Sequence, residues 1–240
     1  MNSNDPKNVD LISHRGVSTV YPENTLASYK HALKYKFKAI ELDVVMSKDN
    51  TLFCSHNYEL ERETDGSGYI NQLSDKRIMS SNAVNSSTGN KEKIPDLDSV
   101  LKFIPKDILL NIEVKSRKLV ELGIAIHTVK TIQNNHRQDQ TLISSFNPLL
   151  LKTIRFLSPK IKTGLLIKSR GAMLLYPISG ADNIHPRADI LDSYLIQYCR
   201  KRNIEIIPWT VNNSPSKNYL NEQGIKRMIS DETKLLSSEP

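Results

Sequence analysis

The chain has 240 residues, of which 38% are hydrophobic and 25% are charged, and its formal net charge is +7. These values exclude a disordered or collagen-like chain, and no apolar run approaches the ~20 residues of a membrane-spanning helix. Lysine and arginine are scattered without interleaved aromatic residues, so the charge favours no nucleic-acid partner even at the basic run 199–203.

Two further features bear on the cellular compartment. The first ten residues, MNSNDPKNVD, are polar and lack the apolar segment of a signal peptide. Cys54 and Cys199 are too few to form a disulfide framework. We therefore expect a cytoplasmic protein without stable membrane association, and the oligomeric state stays open.

Short apolar runs alternate with longer amphipathic runs, which is the pattern of repeated βα units. Eight strands are predicted, at 9–13, 39–45, 108–115, 141–146, 162–167, 181–185, 204–211 and 226–230. Eight helices are predicted between and after them, at 22–35, 96–104, 119–135, 147–157, 171–176, 189–203, 214–223 and 232–236. This alternation predicts an α/β fold, a single (β/α)8 TIM-type barrel over residues 1–240.

The second strand and its return arm read IELDVVMSKDNTLFCSHN from Ile40 to Asn57. Alternation along a strand puts Glu41 and Asp43 on one face and the apolar residues on the other. A two-residue turn at 49–50 would place Asp43 directly opposite His56 in a hairpin. The hairpin therefore predicts that acidic and imidazole side chains share one patch.

The segment 58–93 interrupts the alternation of strands and helices. It contains no clear strand and is rich in serine and asparagine. We predict that this inserted segment, here called the excursion, is partly mobile and lies over the mouth of the barrel.

Several polar residues fall at the carboxyl ends of predicted strands, where barrels of this class build their active sites. They are His14, Arg15, Glu41, Asp43, Glu113, Lys115 and Trp209. Carboxylates suit Mg²⁺ or Ca²⁺, arginine and lysine suit a phosphate group, and two histidines can exchange protons near neutral pH. Together with His56, this set indicates chemistry on a phosphate ester.

The motifs that carry these residues resemble those of the glycerophosphodiester phosphodiesterases, from about Leu11 to Leu235. They are SHRG, PENTLASY, IELDV, SHN, IPDLDSVL, LNIEVK, LISSFNP, IHP, PWTVN and ISD. The resemblance implies a barrel enzyme of lipid and glycerol metabolism that cleaves small-molecule glycerophosphodiesters to glycerol 3-phosphate and an alcohol.

The resemblance also implies a role for each of these residues. His14 and His56 would be the catalytic acid and base, and one divalent cation, Mg²⁺ or Ca²⁺, would bind Glu41, Asp43 and Glu113. Substrate would contact Arg15 and Lys115 through its phosphate and Trp209 through its glycerol.

Three positions depart from the family pattern: Asn57 where an aspartate is usual, Glu63 where a threonine is usual, and Lys36 where a glycine is usual. None removes a predicted metal ligand, acid or base.

Two alternative functions remain at this point. One is a phospholipase D-type enzyme acting on lysophospholipids, which the lack of an apolar anchor disfavours. The other is a non-catalytic phosphodiester-binding barrel, which would need neither histidine.

Overall fold

The computed structural model describes residues 10–236, so the polar start of the chain and the predicted first-strand residue Val9 lie outside the described part. Eight parallel strands form the main sheet: β1 Asp10–His14, β2 Ala39–Met46, β6 Leu109–Val114, β7 Thr141–Ser145, β8 Lys162–Ile167, β9 Asn183–Pro186, β10 Glu205–Ile206 and β11 Arg227–Ser230. A ninth, antiparallel strand, β3 Leu52–Cys54, pairs with β2. Each of the eight predicted strands has a counterpart, but the one predicted at 204–211 is reduced to Glu205–Ile206, so Trp209 follows the strand instead of ending it.

The main sheet curls into a nearly closed barrel. Its strand order is β10, β9, β8, β7, β6, β2, β1, β11. Two backbone hydrogen bonds join the segment after β10 to β11, from Val211 to Ile229 and from Ile229 to Pro208, each 2.9 Å long. The predicted barrel class is therefore confirmed.

Helices alternate with the barrel strands: α1 Leu26–Lys34, α3 Leu97–Phe103, α4 Leu122–Asn134, α5 Pro148–Leu157, α6 Tyr176–Ser179, α7 Ser193–Lys201 and α8 Ser214–Glu222. Two predicted helices are wrong in type. The segment 171–176 is mostly a 3₁₀ helix, Arg170–Leu175, which leads into α6, and the last helix is a single 3₁₀ turn, Thr233–Leu235. Short helical segments of this kind commonly adopt the tighter 3₁₀ geometry.

Two apolar layers hold the barrel together. Alternate strand residues such as Ile40, Leu42 and Val44 face outward and pack in the large cluster with the helices. A smaller cluster of Ile12, Ala39, Ile207 and Ile229 is separate from this outer layer. Since side chains alternate along each strand, this small cluster belongs to the inner face of the barrel.

The hairpin between β2 and β3 has a register one residue away from the predicted one. Val44 pairs with Cys54, and the Ser55 amide donates to the Asp43 carbonyl, so Asp43 faces Ser55 and the predicted pairing with His56 is wrong. The loop has three residues, because Ser47 pairs with Thr51. Asn50 tolerates the left-handed conformation that a three-residue hairpin loop requires, and its φ is 69°.

The excursion contains regular structure that the sequence did not indicate. It forms α2 Asp75–Met79 and a small antiparallel sheet of β4 Asn82–Val84 and β5 Lys91–Lys93. Its buried cluster joins it to the hairpin through Val45, Phe53, Leu60, Ile70, Ile78, Ala83 and Ile94. The expectation of no strand is wrong, because three-residue strands are too short to show a period; partial mobility stays a prediction.

Within residues 10–236, none of the helices combines the length and the apolar character needed to cross a membrane.

Candidate active site

The register of the parallel sheet brings the predicted residues side by side. His14 of β1 pairs with Glu41 of β2, and Asp43 of β2 pairs with Glu113 of β6. Lys115 follows β6, and its amide donates to the Val44 carbonyl at 3.0 Å. Residues 41 and 43 share a strand face, so neighbouring strands deliver acids, an imidazole and a lysine to one patch.

His14 is oriented by a residue from the far end of the chain. Its Nδ1 lies 2.6 Å from Oδ1 of Asp231, which follows β11 directly. Asn212 holds the other carboxylate oxygen with its side-chain amide at 2.6 Å. Burial raises the pKa of Asp231, but the bonds from His14 and Asn212 outweigh it, so this pKa lies below its ordinary value. The Nε2 atom of His14 stays directed toward Glu41, 4.0 Å away.

Arg15 is positioned by the tight turn after β1. Its φ is 55° and that of Gly16 is 80°, and a Cβ on Gly16 would come within 2.7 Å of the Ser28 backbone in α1. Only glycine fits this close approach without strain. The turn directs the Arg15 amide to Glu41 at 3.1 Å.

The Arg15 side chain lies between two acids. Its Nη1 donates to Glu23 at 3.0 Å, and its Nε lies 3.0 Å from Oδ2 of Asp43. Burial opposes the charge of Arg15, yet Asp43 and Glu23 hold its pKa above the ordinary value. The guanidinium is therefore charged, and Glu23 and Asp43 hold two of its nitrogens in place.

The PENT segment, residues 22–25, packs against Asp43 and fixes its position. Helix α1 begins only at Leu26, with Thr25 as its N-cap, so residues 22–25 form a turn instead of the predicted first helical turn. In that turn the Asn24 side chain donates to Asp43 Oδ2 at 2.9 Å and accepts from the Asp43 amide at 3.0 Å. Asn24 thereby fixes both the carboxylate and the backbone of Asp43.

Three carboxylates form a buried cluster. Glu41, Asp43 and Glu113 place ligand atoms within 4.8 Å of one another. Burial and the charge of Asp43 raise the pKa of Glu41 and of Glu113. Burial acts on Asp43 as well, but Lys115 and Arg15 outweigh it and hold the pKa of Asp43 well below its ordinary value. Lys115 Nζ lies 2.7 Å from Asp43 and 2.6 Å from Glu113.

His56 is the more exposed of the two histidines: 36% of its side chain is accessible to solvent, against 16% for His14. Its Nδ1 lies 3.4 Å from Oε1 of Glu63, which belongs to the excursion. Its backbone amide donates to the other oxygen of Glu63 at 3.3 Å.

One cavity contains nearly the whole predicted set. Seven of the eight predicted residues line it, and Asp43 lies fully buried below. The lining residues from that set are His14, Arg15, Glu41, His56, Glu113, Lys115 and Trp209. Their chemical roles stay predictions.

Other residues of the site were not predicted from the sequence. Asn24 and Asp231 lay within quoted motifs, but only the folded chain shows which side chains they hold. Phe146 and Lys168 line the cavity beside Trp209. The rings of Phe146 and Trp209 meet edge-on at 5.9 Å, and Lys168 Nζ lies 4.6 Å from the Phe146 ring centre. Phe146 lies within the LISSFNP motif, but only the folded chain shows that it packs against Trp209 and Lys168.

A family model described as the glycerophosphoryl diester phosphodiesterase family matches residues 14–235. The chain belongs to this family. A glycerophosphodiester phosphodiesterase of Caldanaerobacter subterraneus subsp. tengcongensis is 31% identical over 233 residues, covering 94% of this chain and 95% of that relative. This glycerophosphoryl diester phosphodiesterase family member is therefore an enzyme, a phosphoric diester hydrolase, as the resemblance implied; the non-catalytic alternative is wrong.

Solved structures share the barrel of this family member. A phosphodiesterase of Oleispira antarctica, in complex with the product sn-glycerol-3-phosphate, superposes with a TM-score of 0.86 at 26% identity and covers 95% of each chain. A glycerophosphodiester phosphodiesterase of Thermotoga maritima gives a TM-score of 0.75 at 26% identity, over 95% of this chain and 97% of the other.

Proposed function

We propose that the protein hydrolyses glycerophosphodiesters such as glycerophosphocholine to glycerol 3-phosphate and an alcohol, using one divalent cation and the two histidines. The observation that carries this proposal is the convergence of both imidazoles, three carboxylates and two cationic side chains on one cavity. The Oleispira relative, captured with sn-glycerol-3-phosphate, supports the choice of product.

The carboxylate cluster fits a hard divalent cation. All its ligand atoms are oxygens. The Oδ1 atom of Asp43 is buried and accepts no hydrogen bond of good geometry, although the Lys115 ammonium lies 2.7 Å away. Oxygen-only donors of this kind suit Mg²⁺ or Ca²⁺. A cation bound by Glu41, Asp43 and Glu113 supplies positive charge that offsets the charge of the phosphodiester.

Substrate binding follows from the cavity walls. Arg15 and Lys115 present charged donors for the phosphate oxygens. Trp209, fixed by a 2.8 Å hydrogen bond from its indole nitrogen to the His185 carbonyl, provides an apolar wall for the glycerol carbons. Its edge contact with Phe146 makes that wall rigid.

His14 and His56 perform the proton transfers. One takes a proton from the attacking oxygen, and the other gives a proton to the oxygen of the leaving alcohol. The carboxylate beside Nδ1 of His14 leaves its Nε2 available to the substrate. Since bond formation and bond cleavage occur on opposite sides of phosphorus, two imidazoles on one cavity suit an in-line displacement.

The test is product analysis of the purified protein with glycerophosphocholine, a lysophospholipid and bis(p-nitrophenyl) phosphate, each with and without chelator. We expect glycerol 3-phosphate from glycerophosphocholine, loss of activity with chelator and recovery with Mg²⁺ or Ca²⁺. Preferred cleavage of the lysophospholipid would instead support the phospholipase D-type alternative. Full activity in protein verified to be free of metal would contradict the cation assignment.

The histidines are tested separately. We expect His14→Ala and His56→Ala each to lower kcat by roughly a hundredfold or more, the usual contribution of a proton-transfer group. Both variants should fold normally, because each residue borders an open cavity; circular dichroism checks this. His127→Ala, half-buried on α4 and outside the cavity, is the control and should keep wild-type turnover. Near-normal turnover in either active-site variant would remove that histidine from the mechanism.

We also propose that the protein acts in the cytoplasm. Cys54 and Cys199 are both free and buried, which suits a reducing compartment. Fractionation of the source cells checks this, and recovery in a secreted or membrane fraction would contradict it.

A further inference from the structure

We propose that Glu63, carried by the excursion, is the positioning carboxylate of His56, in the way that Asp231 positions His14. This inference rests on the proposed function, because it concerns one of the two proton-transfer groups. The excursion would then take part in catalysis, because it supplies the carboxylate that pairs with His56.

The two histidines have matching surroundings. Each has a carboxylate beside Nδ1: Asp231 lies 2.6 Å from His14, and Glu63 lies 3.4 Å from His56. A carboxylate at this nitrogen selects the tautomer with hydrogen on Nδ1 and leaves Nε2 free. It also stabilises the imidazolium formed during proton transfer. Burial raises the pKa of Glu63, but His56 outweighs it, so this pKa lies below its ordinary value and Glu63 is charged.

Glu63 is held in place from several directions. Its Oε1 accepts from the side-chain amide of Asn57, and its Oε2 accepts from the His56 amide at 3.3 Å. Its backbone carbonyl accepts from Val84 of β4 at 2.8 Å, and the next residue, Thr64, forms a bridge with Ala83. The small sheet of the excursion therefore sets the position of this carboxylate.

The two sequence departures near His56 meet in space. Asn57 and Glu63 are six positions apart, and the amide of Asn57 donates to the carboxylate of Glu63. Because residue 57 is an asparagine, the residue that follows His56 in the chain carries no carboxylate. The fold instead brings the carboxylate of Glu63 next to His56. An aspartate at 57 beside Glu63 would replace this hydrogen bond with repulsion between like charges.

Other charged groups around His56 do not take this part. Glu23 is near enough to influence the electrostatics of His56, but its two oxygens accept from Arg15 Nη1 at 3.0 and 3.2 Å. Asp43, from β2, interacts with His56 over a longer range and is paired with Lys115 and Arg15. Glu63 is the carboxylate in this group that contacts both the ring and the backbone of His56.

The experiment measures kcat and KM with glycerophosphocholine in the presence of Mg²⁺ or Ca²⁺. The variants are Glu63→Gln, Glu63→Thr and the double variant Asn57→Asp/Glu63→Thr, which moves the carboxylate from position 63 to 57. Glu61→Gln is the matched control, since Glu61 lies on the same turn and its carboxylate accepts from the Gly68 amide at the surface.

We expect Glu63→Gln and Glu63→Thr to lower kcat by about 10–100-fold, the range for groups that orient a reacting ligand, with KM changed less than threefold. The double variant should recover at least fivefold in kcat over Glu63→Thr, and Glu61→Gln should match the wild type.

Several results would overturn the inference. They are a kcat within twofold of wild type in both Glu63 variants, a change confined to KM, or a double variant no better than Glu63→Thr. A second readout needs no substrate: the wild type should show a hydrogen-bonded Nδ1 proton resonance of His56 that His56→Ala and Glu63→Thr both lose. Persistence of that resonance in Glu63→Thr would also overturn it. If the wild type does not cleave glycerophosphocholine, the proposed function fails, and the resonance still tests the contact.

Discussion

The partners of His14 show what a single residue needs from the rest of the chain. The SHRG motif indicates a reactive histidine at a strand end, but Asp231 lies 217 positions away. Nothing in local periodicity links the two, because the contact exists only after β11 closes beside β1. The sequence therefore predicts the reactive group, while the residue that orients it emerges from the fold.

Asp231→Asn should lower kcat by about 10–100-fold, the range for groups that orient a reacting side chain. The amide keeps the size of the side chain but removes the charge that stabilises a protonated His14. KM should change little, since Asp231 lies behind the imidazole and not on the cavity wall. Steady-state kinetics with glycerophosphocholine measure both constants. Asp189→Asn, which breaks a surface pair with Arg187, is the control, and equal losses in both variants would contradict the assignment.

At the scale of elements, prediction succeeded where a pattern persists over several residues. The barrel strands carry uninterrupted apolar or alternating runs, and α5 begins where Asn147 and Pro148 predict it, with Asn147 as its N-cap. The hairpin register was wrong because Ser47, Asp49 and Asn50 favour a loop one residue longer: the Ser47 hydroxyl accepts from the amides of Asp49 and Thr51. One residue of slip changes every facing pair.

Lys36→Gly should stabilise the protein by about 0.5–1 kcal/mol, since its φ of 65° is strained for a residue with a side chain. This position follows the end of α1, where glycine is usual. Thermal or urea unfolding measures the change. Lys34→Gly, in the last turn of α1, should instead destabilise the protein by about 0.5–1 kcal/mol. A Lys36→Gly variant less stable than wild type would show that this strain is absent in solution.

At the scale of the whole molecule, the barrel turns separate motifs into one site. The order of β6, β2, β1 and β11 places IELDV between LNIEVK and SHRG, with ISD on the far side. Because the strands are parallel, their carboxyl ends meet at one rim, so the grouping of His14, Glu41, Asp43 and Glu113 was predictable from fold class and strand ends. The structure of the excursion was not predictable in this way, because its short strands and helix are stabilised by a buried cluster that they share with the hairpin.

This assembly brings together two buried carboxylates and a half-buried one, which repel one another, and a bound cation would relieve that repulsion. Saturating Mg²⁺ or Ca²⁺ should therefore stabilise the folded state, by about 2.7 kcal/mol when its concentration is a hundred times the dissociation constant. For a protein of this size, that corresponds to a rise in Tm of roughly 5–10 °C.

Thermal unfolding of metal-free protein at increasing cation concentration measures this shift in Tm without substrate. Glu113→Gln should reduce the shift, whereas Glu92→Gln, on β5 of the excursion, should preserve it. An unchanged Tm in millimolar concentrations of both cations would contradict metal binding at Glu41, Asp43 and Glu113, and it would leave the proton-transfer roles of His14 and His56 standing.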